Sequence, residues 1–131
     1  HGFLKAHRRG RVFVAPADVL LSRHDIVEPD LVFVSNERLD ILTEKNIQGA
    51  PDLLVEVLSS STKHIDQGIK LERYDRFGVQ EYWIVDPDRN TITVYRLEGE
   101  RFQKAAVLSA EDVLRTPLLP GLEMQLTEIF G

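Results

Sequence analysis

The sequence lacks several features that mark special classes of protein. It has 131 residues, no cysteine and a single tryptophan. Without cysteine the chain can form neither disulfides nor thiolate metal sites, which suits a cytoplasmic protein. No apolar run approaches the roughly 20 residues that a membrane helix needs, and residues 1–5 are too short and polar to act as a signal peptide. We therefore expect a cytoplasmic protein with no membrane segment.

Basic residues are also in deficit. There are 16 lysines and arginines against 21 acids, a net charge of −5, which argues against a broadly basic surface that coats nucleic acid. One local cluster near the start contains Lys5, His7, Arg8, Arg9 and Arg11. This cluster is typical either of a solvated turn or of phosphate contacts. Because the first residue is histidine and Gly2–Arg11 resembles the middle of a domain, we expect that an N-terminal portion is missing.

What is present is typical of one globular domain over residues 1–131, with 43% hydrophobic and 28% charged residues. Apolar runs with β propensity alternate with turn residues, and a single helical pattern interrupts them. The predicted strands lie near residues 12–14, 19–21, 31–34, 53–58, 81–85, 91–97 and 102–107. A short helix or loop is predicted over Asn36–Asn46, and a short closing helix over Leu126–Phe130. This order predicts an α/β (α+β) fold, a mixed sheet flanked by helices.

The main helix is predicted over Lys63–Phe77. Thr62 is a candidate N-cap, although Ser59–Thr62 can also contact a phosphate. Gly78 is expected to end the helix, because glycine readily adopts the left-handed conformation found there. Asp66, Lys70 and Tyr74 are spaced four residues apart, so they share one face. Asp66 and Lys70 form either a surface ion pair or part of a site.

Two acids in apolar surroundings are the candidates for chemistry. Asp30 precedes the apolar strand at 31–34, and Glu56 is the single charge in Leu53–Leu58. Burying a carboxylate in such a strand costs free energy unless the group is paired with a cation, protonated or bound to a metal. Asp30 can also be a plain turn residue after Pro29, and Glu56 an ion-paired strand residue. A metal site accounts for both acids at once.

Lys70 and Asp52 extend this candidate site. The helix that carries Lys70 follows the Glu56 strand directly, so it can pack over the strand end and bring an ammonium to the carboxylates. Asp52 shares a strand face with Glu56, where it either supports the site or stabilises the turn before the strand. The aromatic pair Tyr82 and Trp83 can stack on bases, but aromatics in a central strand favour a core role.

Together these motifs resemble a known family. Pro29-Asp30, the segment 50–59, the segment 66–74 and the segment 78–87 are similar to the Uma-type restriction endonucleases of the PD-(D/E)XK superfamily, over about Val12 to Phe130. The resemblance implies a restriction-endonuclease-like fold with Asp30 as the motif aspartate and Glu56 as the second acidic ligand. The superfamily lysine usually stands two residues after that acid, where this chain has Leu58. The resemblance implies that the lysine has moved to Lys70 on the helix.

Two functional hypotheses follow. In the first, the protein is an endonuclease (a hydrolase) that cleaves nucleic acid, with DNA expected over RNA. Asp30, Glu56 and the Val57 carbonyl would bind Mg²⁺ or Mn²⁺, which prefer oxygen ligands, and Lys70 would complete the catalytic set. Asp52, Asp66 and Tyr74 would support it. In the second, the fold serves as a non-catalytic binding module. The apolar C-terminal tail favours a homodimer.

Overall fold

A computed structural model describes residues 3–7, 10–14, 18–24, 26–27, 29–58, 67–109, 111–118 and 124–125. Within these ranges the chain forms mainly β-strands, with one α-helix, α1, over Gln67–Arg76 and one 3-10 helix over Asn36–Ile41. The strands in chain order are β1 (Phe3–His7), β2 (Gly10–Val14), β3 (Val19–Leu20), β4 (Ile26–Val27), β5 (Leu31–Ser35), β6 (Ile47–Gln48), β7 (Leu53–Val57), β8 (Glu81–Asp86), β9 (Thr91–Glu98), β10 (Arg101–Leu108), β11 (Val113–Leu114) and β12 (Met124–Gln125).

A seven-stranded sheet in the order β1-β2-β5-β7-β8-β9-β10 organises the described residues. Its neighbouring strands are antiparallel except for β7 and β8, which run parallel. Parallel neighbours need a crossover connection, and α1 lies in the connection between them. Two smaller sheets, β4-β3-β6 and β11-β12, accompany it. The predicted α+β class with a mixed sheet is thereby confirmed.

The two faces of the sheet bury two separate cores. Side chains alternate along a strand, so successive residues of β7 and β8 contribute to opposite faces. The core on the helix side contains Leu54 and Tyr82 together with Tyr74 of α1. The core on the other side contains Val55 and Trp83, with Leu114 of β11 packed against them. We call these the helix-side face and the far face.

The end of α1 follows from local sequence. Gly78 has a φ of +86°, a left-handed conformation in which residues with a Cβ are strained. Its N–H donates to the carbonyl of Asp75 at 3.1 Å, and the N–H of Val79 donates to the carbonyl of Tyr74 at 3.1 Å. The predicted termination at Gly78 is confirmed. The predicted start, including Thr62 and Lys63, lies outside the described residues.

Some of the other local predictions agree with the structure and others do not. Of the two alternatives for Asn36–Asn46, a short helix or a loop, the structure has a 3-10 helix over Asn36–Ile41, and the predicted strand near 102–107 is confirmed as β10. Phe3–His7 was not predicted as a strand, yet it forms β1, which pairs antiparallel with β2. Of the basic cluster, Lys5 and His7 belong to β1 and Arg11 belongs to β2, while Arg8 and Arg9 lie outside the described residues. The predicted Leu126–Phe130 helix lies outside the described residues. In the described part of the chain, no helix is long and apolar enough to cross a membrane.

Candidate active site

Glu56 is the centre of a polar cluster on the helix-side face. Its side chain is 14% exposed and both of its carboxylate oxygens accept hydrogen bonds. Oε1 accepts from Nζ of Lys70 at 2.8 Å and, more weakly, from the hydroxyl of Tyr74 at 3.4 Å. Oε2 accepts from the hydroxyl of Tyr82. The carboxylate is thus bound by one cation and two phenols, which offsets the cost of burying its charge.

The crossover geometry explains how Lys70 reaches Glu56. Because α1 connects the parallel strands β7 and β8, it packs over the helix-side face that carries the Glu56 side chain. Lys70 and Tyr74 are four residues apart and occupy the same side of the helix. The Lys70 side chain is 20% exposed, so the ion pair is mostly shielded from water but keeps some contact with solvent. The structure therefore brings together Glu56, Lys70 and Tyr74, as the spacing along the sequence suggested.

Tyr82 also belongs to this cluster, although the sequence analysis considered it only as a core residue or as a platform for stacking on bases. It is fully buried, as predicted, but its hydroxyl also donates to Glu56. Burial, and then the nearby Glu56 carboxylate, raise the pKa of both Tyr74 and Tyr82 above that of a free tyrosine. Both phenols therefore keep their protons and remain hydrogen-bond donors to Glu56 at physiological pH. Side chains alternate between the two faces along β8, and β8 pairs with β7. Once that pairing is known, the alternation places Tyr82 on the same face as Glu56.

Asp30 lies at the start of β5, next to the Glu56 segment. Its backbone N–H donates to the carbonyl of Val55 at 3.0 Å, and its Oδ2 accepts from the N–H of Val57 at 2.7 Å. These two bonds attach Asp30 to the residues on either side of Glu56. Leu31 pairs with Val55 in the antiparallel register, so Asp30 lies one position beyond that pair, at the level of Glu56. Asp30 and Val57 are both exposed.

The remaining predicted members lie apart from this cluster or cannot be placed. Asp52 is 6% exposed, and it accepts a hydrogen bond from the N–H of Ser35 at 2.6 Å. It also faces the guanidinium of Arg38 at 3.7 Å. These contacts connect the start of β7 to the end of β5 and to the 3-10 helix, which is the turn-stabilising alternative considered from sequence. Asp66 lies outside the described residues.

A second buried glutamate occupies the far face. Glu81 is 2% exposed and was not singled out from the sequence. The indole N–H of Trp83 donates to its Oε1 at 2.8 Å, and the hydroxyl of Thr116 donates to its Oε2 at 2.5 Å. The guanidinium of Arg96 lies 3.4 Å from the same Oε2. This group, the Glu81 cluster, joins β8 and β9 to the segment around Thr116.

A cavity of about 620 Å³ lies elsewhere among the described residues. It opens beside the C-terminal end of α1 and the β9–β10 turn, and its lining includes the acids Glu72 and Asp75 and the arginines Arg76 and Arg101. None of the residues of the Glu56 cluster lines it. Its mixed charges select no ligand class, so the contact of Glu56 with Lys70 next to exposed Asp30, rather than cavity size, makes Glu56 the candidate centre.

Comparison with known proteins places the chain in a family. Residues 1–127 match the family described as "Uma2: Putative restriction endonuclease", and the chain belongs to that family. Its fold is similar to the crystal structure of a protein from Anabaena variabilis described as "a putative nuclease belonging to DUF820". The TM-score is 0.74 at 22% sequence identity, covering 94% of this chain and 69% of that one. A search of curated proteins found no match. The resemblance inferred from the sequence motifs is confirmed, and the family supports a nuclease function.

Proposed function

We propose that this protein is a metal-dependent endonuclease that hydrolyses phosphodiester bonds of nucleic acid, with DNA as the expected substrate. Asp30, Glu56 and the Val57 carbonyl would hold Mg²⁺ or Mn²⁺, and Lys70 would act on the reacting groups. The observation that carries the proposal is the 2.8 Å contact between Lys70 and Glu56 at the end of β7. Membership of a family of restriction endonucleases agrees with it.

The donor chemistry fits a small hard cation. Carboxylate and carbonyl oxygens are the ligands that Mg²⁺ prefers, and this ion commonly keeps several waters, so two carboxylates can suffice. Asp30 is exposed and held at the level of Glu56 by the amide of Val57. Among the described residues no set of three acidic, histidine or cysteine side chains could hold a metal. The proposed ion would therefore rest on two carboxylates, one backbone oxygen and water.

Each residue has a distinct task in this proposal. A bound divalent ion lowers the pKa of a coordinated water and neutralises phosphate charge. Lys70 supplies a positive charge that orients the attacking water or stabilises negative charge developing on the phosphate. Glu56 holds Lys70 in place, and Tyr74 supports both from the next turn of α1. Asp52 would act only indirectly, by fixing the start of β7, and Asp66 would act from the segment before α1.

Cleavage of supercoiled plasmid in Mg²⁺ or Mn²⁺ tests the proposal directly. We expect Lys70→Ala to lower the cleavage rate by about 100-fold or more, as for the loss of one preorganised charge-stabilising group. Lys104→Ala is the matched control, because Lys104 is an exposed lysine on β10 outside the Glu56 cluster. Equal activity of wild type and Lys70→Ala would remove Lys70 from the mechanism. Parallel assays with RNA and with small phosphate esters distinguish the substrate classes that the same residues can serve.

A non-catalytic nuclease-fold module is the second candidate. It is favoured by the full hydrogen bonding of Glu56, whose two oxygens already accept from Lys70, Tyr74 and Tyr82. Calorimetric titration with Mn²⁺ separates the two candidates. Binding heat that is lost in Glu56→Gln supports the enzyme, whereas no heat in the wild type supports the module. A homodimer, a single domain over residues 1–131 and a cytoplasmic location are further parts of the proposal, and sedimentation tests the first.

A further inference from the structure

Tyr82 makes a contact that a purely structural core residue would not need. Its ring is completely buried among aromatic neighbours, with the ring centre of Tyr74 at 4.9 Å and those of Tyr95 and Phe102 at 6.4 Å. Phenylalanine would fill the same space without bringing a polar atom into the core. A buried hydroxyl is costly unless it is bonded, and the hydroxyl of Tyr82 donates to Oε2 of Glu56.

The bonds on Glu56 are divided between its two oxygens. Oε2 accepts from Tyr82, which belongs to the rigid strand next to β7. Oε1 accepts from Lys70 and Tyr74, which belong to α1. Lysine has four rotatable carbons and carries a mobile point charge. The strand-borne phenol is therefore the more rigid of the two supports.

We propose that Tyr82 is a positioning residue: its buried hydroxyl fixes the carboxylate of Glu56 and, through it, the ammonium of Lys70. The geometry of the bonds carries this inference, and its consequence for cation binding rests on the proposed metal-dependent function. Hydrogen-bond partners of metal ligands orient those ligands, and their removal typically costs 10- to 100-fold in metal affinity. Tyr82 would stand in that relation to Glu56.

Tyr82→Phe is the test variant and Tyr95→Phe its matched control. Both remove one hydroxyl from the same aromatic group, but of these two tyrosines only Tyr82 donates a described hydrogen bond to Glu56. The first readout needs no metal: the rate of reductive methylation of Lys70, followed by peptide mass spectrometry against the exposed Lys104. We expect Tyr82→Phe to raise the ratio of the Lys70 rate to the Lys104 rate several-fold, and Tyr95→Phe to leave it within twofold of wild type.

The second readout is the affinity for Mn²⁺ measured by calorimetry. We expect about a 10- to 100-fold loss in Tyr82→Phe and less than a twofold change in Tyr95→Phe. If the wild type binds no Mn²⁺, the proposed metal function fails, while the methylation rates still decide whether Tyr82 positions Glu56. An unchanged Lys70 rate in Tyr82→Phe overturns the inference, as does an equal increase in both variants.

Folding of each variant is checked first by cooperative urea unfolding. Should Tyr82→Phe fail to fold, nuclear magnetic resonance of the wild type replaces it. A slowly exchanging hydroxyl proton of Tyr82, with a cross-peak to the Glu56 side chain, supports the inference. Absence of that signal under conditions where other buried exchangeable protons are observed overturns it.

Discussion

The two glutamates of neighbouring strands, Glu56 on β7 and Glu81 on β8, have similar partners and opposite surroundings. Each carboxylate has three partners: a cation, an aromatic side chain that donates a hydrogen bond, and a further side chain that donates through a hydroxyl. Glu56 has Lys70 at 2.8 Å and is 14% exposed on the helix-side face. Glu81 has Arg96 at 3.4 Å and is 2% exposed on the far face. A carboxylate with a comparable set of partners therefore occurs once in a partly exposed position and once in a fully buried one.

The difference shows that burial of an acid is not by itself a sign of chemistry. The Glu81 cluster joins β8 and β9 to the segment around Thr116, and the Arg96 guanidinium also donates to the carbonyl of Arg115 at 3.1 Å. Such a network holds distant segments together. The Glu56 cluster instead lies at the end of a strand beside exposed Asp30 and Val57, and the Glu56 side chain itself remains partly in contact with solvent. Access, rather than the number of hydrogen bonds, separates the two.

The largest effect is expected from Glu56→Gln. The amide can still accept from Tyr82, but it removes the charge that holds Lys70 and would bind the cation. We expect plasmid cleavage to fall about 10³-fold, while the free energy of unfolding changes by less than about 1 kcal/mol, because the glutamine still accepts from Tyr82 and the flexible stem of Lys70 can turn its ammonium toward water. Cleavage gels and urea unfolding measure the two quantities. Loss of stability together with activity would make Glu56 a structural residue like Glu81.

Glu81→Gln is expected to show the reverse pattern. Removing this charge leaves Arg96 without its carboxylate, and breaking a buried pair costs about 3–5 kcal/mol. Because the Arg96 side chain is 35% exposed, we expect a loss of about 2 kcal/mol in the free energy of unfolding. Cleavage below the unfolding transition should stay near wild type. The exposed Glu98→Gln is the control, and a fall in cleavage for folded Glu81→Gln would contradict the separation of the two clusters.

Much of the helix-side cluster could be predicted because its cues are local. A single charge in an apolar strand marks Glu56, and four-residue spacing relates Lys70 to Tyr74. The far-face cluster depends on long-range pairing: Thr116 reaches Glu81 across 35 residues of sequence. No local pattern reports such a contact. Tyr82 was predicted as core for the same reason, since its bond to Glu56 depends on the parallel register of β7 and β8.

The fold, too, could be predicted only where local sequence patterns specify it. The mixed sheet, the end of α1 and most long strands follow from hydrophobic patterns and glycine. The two-residue strands β4 and β12 were not predicted, because neither has enough residues to form a pattern of its own, and β1 was missed because it contains basic residues. These strands form because they pair with neighbouring strands, so they can be recognised only from the tertiary structure.

Asp30→Asn tests whether the exposed acid beside the Glu56 cluster takes part in metal binding. The amide oxygen can still accept from the N–H of Val57, so the free energy of unfolding should fall by less than about 0.5 kcal/mol. The lost charge should weaken Mn²⁺ binding by about tenfold, which corresponds to about 1.4 kcal/mol. Calorimetry measures the affinity, and Asp30→Ala, which removes the acceptor too, should be less stable than Asp30→Asn. Unchanged Mn²⁺ affinity in both variants would exclude Asp30 as a ligand.

At Thr116, on the closed side, the expected effect is on stability alone. Its hydroxyl donates to Oε2 of Glu81 and accepts from the N–H of Leu118 at 3.2 Å. Thr116→Val keeps the shape and removes both bonds, so we expect a loss of about 1–2 kcal/mol in unfolding free energy. Thr116→Ser keeps the hydroxyl and should lose less than Thr116→Val, because only a methyl group is removed. If serine and valine destabilise equally, packing of the methyl group rather than bonding to Glu81 holds this segment to the far face. Neither variant should alter Mn²⁺ affinity, since the sheet separates Thr116 from Glu56.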